Sequence, residues 1–162
     1  MTDKMKGIIH FRIDDRMIHG QVATQWTNHL EVTRIMVIND EVASDEMKKM
    51  VVRMAAPPNV STSIINKELA LNNISSGKYA GQRVLVISVS PLDIEFLING
   101  GLPIKSVNVG NLSRREGTAR IRPTINITED ERASFQRLIE KKVDVTLMQT
   151  PRDTKEYFKN FL

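Results

Sequence analysis

Between Arg12 and Val22 the chain reads RIDDRMIHGQV, which crowds two acids, two bases and a histidine into one short stretch. His19 stands directly before Gly20, and Arg16 precedes it by three positions. An imidazole of ordinary pKa, ~6.5, keeps a neutral, nucleophilic nitrogen near neutral pH. A guanidinium offers a planar fork that matches phosphate oxygens and the charge gathering on a transferred group. A glycine lets the backbone approach a phosphate with no side chain in the way. Together these residue types suit a group that carries or receives a phosphoryl. The second imidazole nitrogen then needs an acceptor to fix the tautomer, and Asp14 or a backbone carbonyl would serve. A plainer reading is also open: a solvated loop in which Arg12, Asp14, Asp15 and Arg16 form ordinary ion pairs around a surface histidine. His10, inside an apolar run, and His29, further along, read as structural.

The elements around the loop decide whether this chemistry has a scaffold. Short runs rich in β-branched residues recur at 8–13, 34–39, 61–65, 83–89, 106–110 and 143–148. Several show little alternation, as strands covered on both faces do. Helical patterns lie between them. Val22, Ala23, Trp26 and Leu30 share one face, and Met47, Met50, Val51 and Met54 form a second stripe expected to pack into the core. Pro57 and Pro58 stop that helix. Ser90–Pro91 opens another that Gly100–Gly101 ends, and Thr128 with Glu131 reads as a capping box. The stretch 153–162 reads as a last short helix docking Tyr157, Phe158, Phe161 and Leu162.

Such alternation predicts a three-layer α/β fold, a mostly parallel sheet with helices on both faces, in one domain over 1–162. The irregular stretch 111–125 has room for a hairpin or an antiparallel edge strand. In open parallel sheets ligands bind beyond the carboxyl ends of the strands. The RIDDRMIHGQV loop leaves the first strand at that edge. Gly20 and Gln21 begin a helix whose first N–H groups are free for an anion.

Composition narrows the field. With no cysteine, disulfides, thiolate catalysis and cysteine-held zinc are excluded. No P-loop, dinucleotide fingerprint, HExxH or GxSxG motif occurs, so no nucleotide, metal or other cofactor is expected. No apolar run approaches a membrane span and no signal peptide is evident, which predicts a cytoplasmic protein. The net charge of +4 and pI near 9.5 suit an anionic partner. Nucleic acid ranks last, since only 113–122 is locally basic and no aromatic interleaves with it.

RIDDRMIHGQV resembles the active loop of IIB components of the mannose/sorbose-type sugar phosphotransferase system. INDEVA, AAPP, GKYAGQRV and SVNVG fall in that family's order and spacing, so the resemblance covers nearly the whole chain. It implies a protein-N(pi)-phosphohistidine–sugar phosphotransferase component without metal or nucleotide. His19 would take a phosphoryl group from a phosphohistidine on a separate IIA protein. It would pass the group to a sugar brought in by membrane IIC and IID partners, to which the chain would bind peripherally at the inner face. Mannose, fructose, sorbose and N-acetylgalactosamine are all open as the sugar, and self-association is open too. Arg16 would neutralise phosphoryl oxygens, Asp14 would order loop and imidazole, and Gly20 and Gln21 would give backbone donors. Arg12, Arg114 and Arg115 are candidates for a basic docking surface. Met17 stands where the family often has leucine, and Asn111 where it often has a second glycine. The competing reading is a regulatory domain that binds an anion or phosphoprotein without turnover.

Overall fold

The computed structural model describes residues 5–162, and it describes Gln21 and Val22 by backbone only. The place of the Val22 side chain on its helix therefore lies outside the described residues. Six parallel strands form the body of one sheet: β1 (Ile8–Asp14), β2 (Arg34–Ile38), β3 (Ser61–Ile65), β4 (Val84–Ser88), β5 (Ser106–Asn111) and β8 (Asp144–Leu147). A two-residue strand, β9 (Glu156–Tyr157), closes one edge antiparallel to β8, giving the order β3-β2-β4-β1-β5-β8-β9. The irregular stretch 111–125 leads into a separate antiparallel hairpin, β6 (Ala119–Arg122) with β7 (Ile125–Ile127). The antiparallel edge strand of the main sheet thus comes from the C-terminal segment and not from this hairpin.

Helices cover both faces. On one, α1 (Gly20–Leu30), α2 (Asp40–Ala43) and α3 (Glu46–Met54) pack against Ile35, Val37, Leu85 and Ile87 through Ala23, Trp26, Val42 and Val52. On the other, α4 (Lys67–Ser75), α5 (Pro91–Asn99) and α6 (Glu129–Glu140) bury Ala70, Ile74, Leu97, Phe135 and Leu138 with Phe11, Met36, Val86 and Val109. The sheet can be covered twice because Ile35 to Ile38 and Val84 to Ile87 are almost wholly buried, with apolar side chains on both sides. The expected caps are in place: Ser90 Oγ accepts from Leu92 N, and Thr128 with Glu131 forms a reciprocal capping box.

Two expectations need correction. Met47, Met50, Val51 and Met54 do share a helix face, but that face points to solvent, each residue being at least 60% exposed. Among the described residues α3 buries only Val52, because the element it meets is the short α2 and only Val52 reaches the core cluster beneath. The C-terminal segment is the other. It forms β9 followed by a single 3-10 turn, Phe158–Phe161, and no α-helix. Phe158 is fully buried and stacks on Phe135 with ring centroids 4.1 Å apart, and Phe161 packs at the core margin. Tyr157 and Leu162 remain half-exposed. Pairing with β8 fixes the backbone of Glu156 and Tyr157, which leaves too few residues for a helix.

Candidate active site

β1 carries the loop residues to the carboxyl edge of the sheet, where Asp14 is its last member. Asp14 is 1% exposed and both of its oxygens are engaged. Its Oδ2 accepts from Arg12 Nη2 at 3.1 Å and from Arg16 Nη2 at 3.2 Å, while Oδ1 accepts from Arg16 Nε at 3.2 Å and Arg16 N at 3.0 Å. A carboxylate gripped by two guanidinium groups in a buried setting resists displacement, because charge-assisted bonds strengthen where solvent is excluded. Arg16 is thereby aimed by a fork-to-fork contact. Its remaining Nη1 has no protein partner among the described residues, and the side chain stays 26% exposed.

Asp15 holds the loop from the opposite side. Its Oδ2 accepts from Ser113 N at 2.7 Å, and its Oδ1 accepts from Asn111 Nδ2 at 2.9 Å and Ser113 Oγ at 3.0 Å. The Asp15 backbone N–H also donates to Asn111 O at 3.0 Å. The chain then turns tightly, with Met17 at φ 63° and its N–H donating to Asp14 O. That left-handed conformation is uncommon for a non-glycine residue and marks a loop whose path is imposed by its anchors.

His19 follows as the N-cap residue of α1. Its backbone carbonyl accepts from Ala23 N at 2.9 Å, but its imidazole caps nothing and is exposed. Gly20 opens the helix, and a Cβ placed on it would meet nothing within 4 Å, so the approach to the first free N–H groups is clear. No acidic side chain lies in the first turn, and the helix dipole there favours an anion. The backbone of Gln21 follows within the same turn, while the side chain lies outside the described residues. The expected Asp14–imidazole contact is not made. Both Asp14 oxygens are taken by arginines, so no hydrogen bond joins them to His19.

Arg12 overturns its expected role. It is 2% exposed and cannot dock a partner. Its guanidinium donates to Asn108 Oδ1, to Met148 O at 2.9 Å, to Gln149 O at 3.0 Å and to Asp14, and lies 5.2 Å from the Trp26 ring centroid. Burial lowers its pKa and the Asp14 carboxylate pulls the other way. Trp26 Nε1 donates to the same Gln149 carbonyl at 2.9 Å. Of the other basic residues, Arg115 is pinned by Glu131 at 3.0 and 3.1 Å and by Asn126 O at 2.9 Å. Arg114 is exposed.

Sequence reading missed the anchoring roles of Asn108, Gly110, Ser113 and the Met148–Gln149 carbonyls, and marked Asn111 only as a departure from the family pattern. Only the SVNVGN strand gave a signal: polar Asn108 and Asn111 bracket a glycine where burial favours apolar residues. Gly110 is needed because a Cβ there would lie 1.9 Å from Arg12 Nη2. His10 is structural, as expected. It stacks on Trp26 at 4.9 Å, and burial, helped by nearby Arg12, His29 and Lys155 charges and opposed by Asn108, lowers its pKa to about 4. Among the described residues no helix is long and apolar enough to cross a membrane.

Comparison with known proteins places this geometry. The sequence pattern of the PTS system sorbose subfamily IIB component matches residues 8–162. The fructose-specific EIIB component of Bacillus subtilis is 36% identical over 158 residues, covering 98% of this chain and 97% of the relative. The mannose-specific EIIAB component of Escherichia coli K12 is 37% identical over 144 residues, and the match spans only 45% of that longer protein. Among solved structures, a phosphoenolpyruvate-dependent phosphotransferase system protein superposes with TM-score 0.91 at 35% identity over 96% of each chain. The IIBSor domain of the Klebsiella pneumoniae sorbose permease superposes with TM-score 0.90 at 27% identity over 94% of each chain. With the match running through nearly every element from β1 onward, the chain belongs to the sorbose subfamily of phosphotransferase-system IIB components.

Proposed function

We propose that this single IIB domain, residues 1–162, is a phosphoryl carrier in sugar uptake, with His19 as the accepting residue. A neutral imidazole nitrogen of His19 attacks the phosphorus of a phosphohistidine on a IIA partner. The P–N bond to the donor breaks as the bond to His19 forms. The phosphoryl then passes to a sugar hydroxyl presented by membrane IIC and IID partners, and that association would hold the chain at the inner membrane face. The observation that carries the reading is the exposed His19 imidazole at the start of α1, three residues from an Arg16 guanidinium oriented by Asp14. Arg16 Nη1 and the free N–H groups beyond Gly20 supply positive charge for three phosphoryl oxygens without a metal. Asp14 orients Arg16 in this scheme, and Asp15 fixes the loop.

Relatives are named for mannose, fructose, sorbose and N-acetylgalactosamine, so family membership leaves the sugar open. The test is incubation with a phosphorylated IIA donor followed by intact-mass measurement. Native protein gains one acid-labile phosphoryl and His19→Ala gains none. Arg16→Ala transfers about 100-fold more slowly. Phosphorylation of the His19→Ala variant refutes the assignment, and native protein that binds the donor without gaining mass points to a regulatory binding domain instead.

A further inference from the structure

The helices α1, α2 and α3 pack on the β2 and β4 side of the sheet, and among the described residues none of them covers β5, β8 and β9. A groove of about 440 Å³ lies there, floored by polar strand residues and walled by α1 and the loop after β8. A second hollow of about 460 Å³ adjoins it, sharing His29 and Pro151 and adding Arg152. Volumes of this order accommodate small metabolites. The groove lies on the α1 side of the sheet, and the cations along its walls, Arg152 and Lys155, have no part in the phosphoryl-carrier reading.

Its chemistry is specific. His29, Arg152 and Lys155 are exposed cations or potential cations along the walls, and among the described residues neither Arg152 nor Lys155 pairs with an acid. They favour an anion. Asp144 lies in the same groove, exposed and likewise without an ion-pair partner among the described residues. A carboxylate there repels a bare phosphate but accepts hydrogen bonds from hydroxyl groups. Ser106, Thr146 and the half-exposed Tyr157 add further hydroxyl partners. On the floor, His10 stacks on Trp26, and its buried Nε2 has no hydrogen-bond partner among the described residues.

We propose that this groove is a binding site for a small phosphorylated sugar, with the phosphate toward Arg152, Lys155 and His29 and the hydroxyls toward Asp144. The loop that forms its wall begins at Met148 and Gln149, whose carbonyls hold Arg12 and Trp26. Ligand that stiffens this loop therefore acts on the anchor of the active loop. The site is independent of whether His19 accepts phosphate, and its test needs no donor protein.

Trp26 is the sole tryptophan and lines the groove, so its fluorescence reports occupancy. The full chain is titrated with mannose 6-phosphate, mannose and inorganic phosphate, with backbone NMR shifts as the second readout. Saturable binding of mannose 6-phosphate is expected, with shifts at Trp26, His29 and 151–157. Inorganic phosphate and mannose should each bind about tenfold more weakly or worse, the loss of roughly one charged or bidentate contact. The exposed pair R152A/K155A should weaken mannose 6-phosphate at least as much and leave the melting temperature unchanged. Inorganic phosphate binding as tightly as the sugar phosphate would mean an adventitious ion only and overturn the proposal. So would no saturable response, equal affinity for free mannose, or shifts confined to the His19 loop and unaffected in R152A/K155A.

Discussion

Placing a methyl group at Gly110 tests the account of Arg12 directly. Gly110 does not have a positive φ, so alanine is compatible with its backbone and should by itself slightly favour the strand. The obstacle is steric. The new Cβ would lie 1.9 Å from Nη2, 2.2 Å from Cζ and 2.7 Å from Nη1 of Arg12. Relief to an ordinary contact of ~3.5 Å requires the guanidinium to retreat by about 1.5 Å. A free arginine would simply swing away, but this one is held by four acceptors, the buried Asp14 carboxylate among them. A shift of that size breaks at least two charge-assisted bonds, at about 1.5–3 kcal/mol each, so Gly110→Ala should destabilise by about 3–5 kcal/mol. Arg12→Ala alone should cost a similar ~3–5 kcal/mol, since it leaves Asp14 buried with one partner removed. In the Arg12→Ala background the clash is gone, and Gly110→Ala should cost less than ~0.5 kcal/mol. The coupling energy is therefore about 3 kcal/mol, measurable from urea denaturation midpoints of the four proteins. If the two substitutions add within ~0.5 kcal/mol, Arg12 does not occupy the space beside Gly110, and the proposed anchoring of the active loop fails with it.

Asp14→Asn keeps the shape but removes the charge that aims Arg16, and phosphoryl acceptance from IIA should slow about 100-fold with circular dichroism unchanged; an unaltered rate would show that Arg16 needs no such guide. Burial keeps His10 neutral down to about pH 4, while the unfolded chain takes up its proton near 6.5. Stability should therefore decline as pH falls from 6.5 toward 4, by up to roughly 3 kcal/mol, and His10→Gln should flatten that part of the profile. Identical pH profiles for the two proteins would remove His10 as the cause. Met54→Ala on the exposed face of α3 should change the urea midpoint by less than the equivalent of ~0.5 kcal/mol, where a core methionine would lose ~2–5 kcal/mol.

Much of this architecture was legible because its signals are local. Ile35 to Ile38 and Val84 to Ile87 announce doubly covered strands by composition alone, and Ser90–Pro91 and Thr128–Glu131 mark helix starts through contacts spanning three residues or fewer. The loop around His19 was legible for the same reason. What escaped depends on residues far apart in the chain. Period tells that Met47, Met50, Val51 and Met54 share a face, but not whether anything lies opposite. A charged symbol suggests a surface, yet Arg12 is buried because acceptors at 108, 148 and 149 converge on it. Likewise Glu156 and Tyr157 become strand only because the edge of β8 is there to pair with them.

Those distant anchors also govern when the site can form as the chain folds. Asp15 is tied to Asn111 and Ser113 across 96 to 98 positions, and Arg12 to Met148 and Gln149 across 136 and 137. Loop closure over such spans comes late, after local helices and neighbouring strands have formed. A chain emerging from the ribosome can therefore build α1 and display His19 long before Arg12 and Asp15 find their partners. Competence to accept a phosphoryl group should then appear in refolding after most helical signal has returned. Transfer activity thereby becomes a report on completion of the whole sheet, out to its penultimate strand.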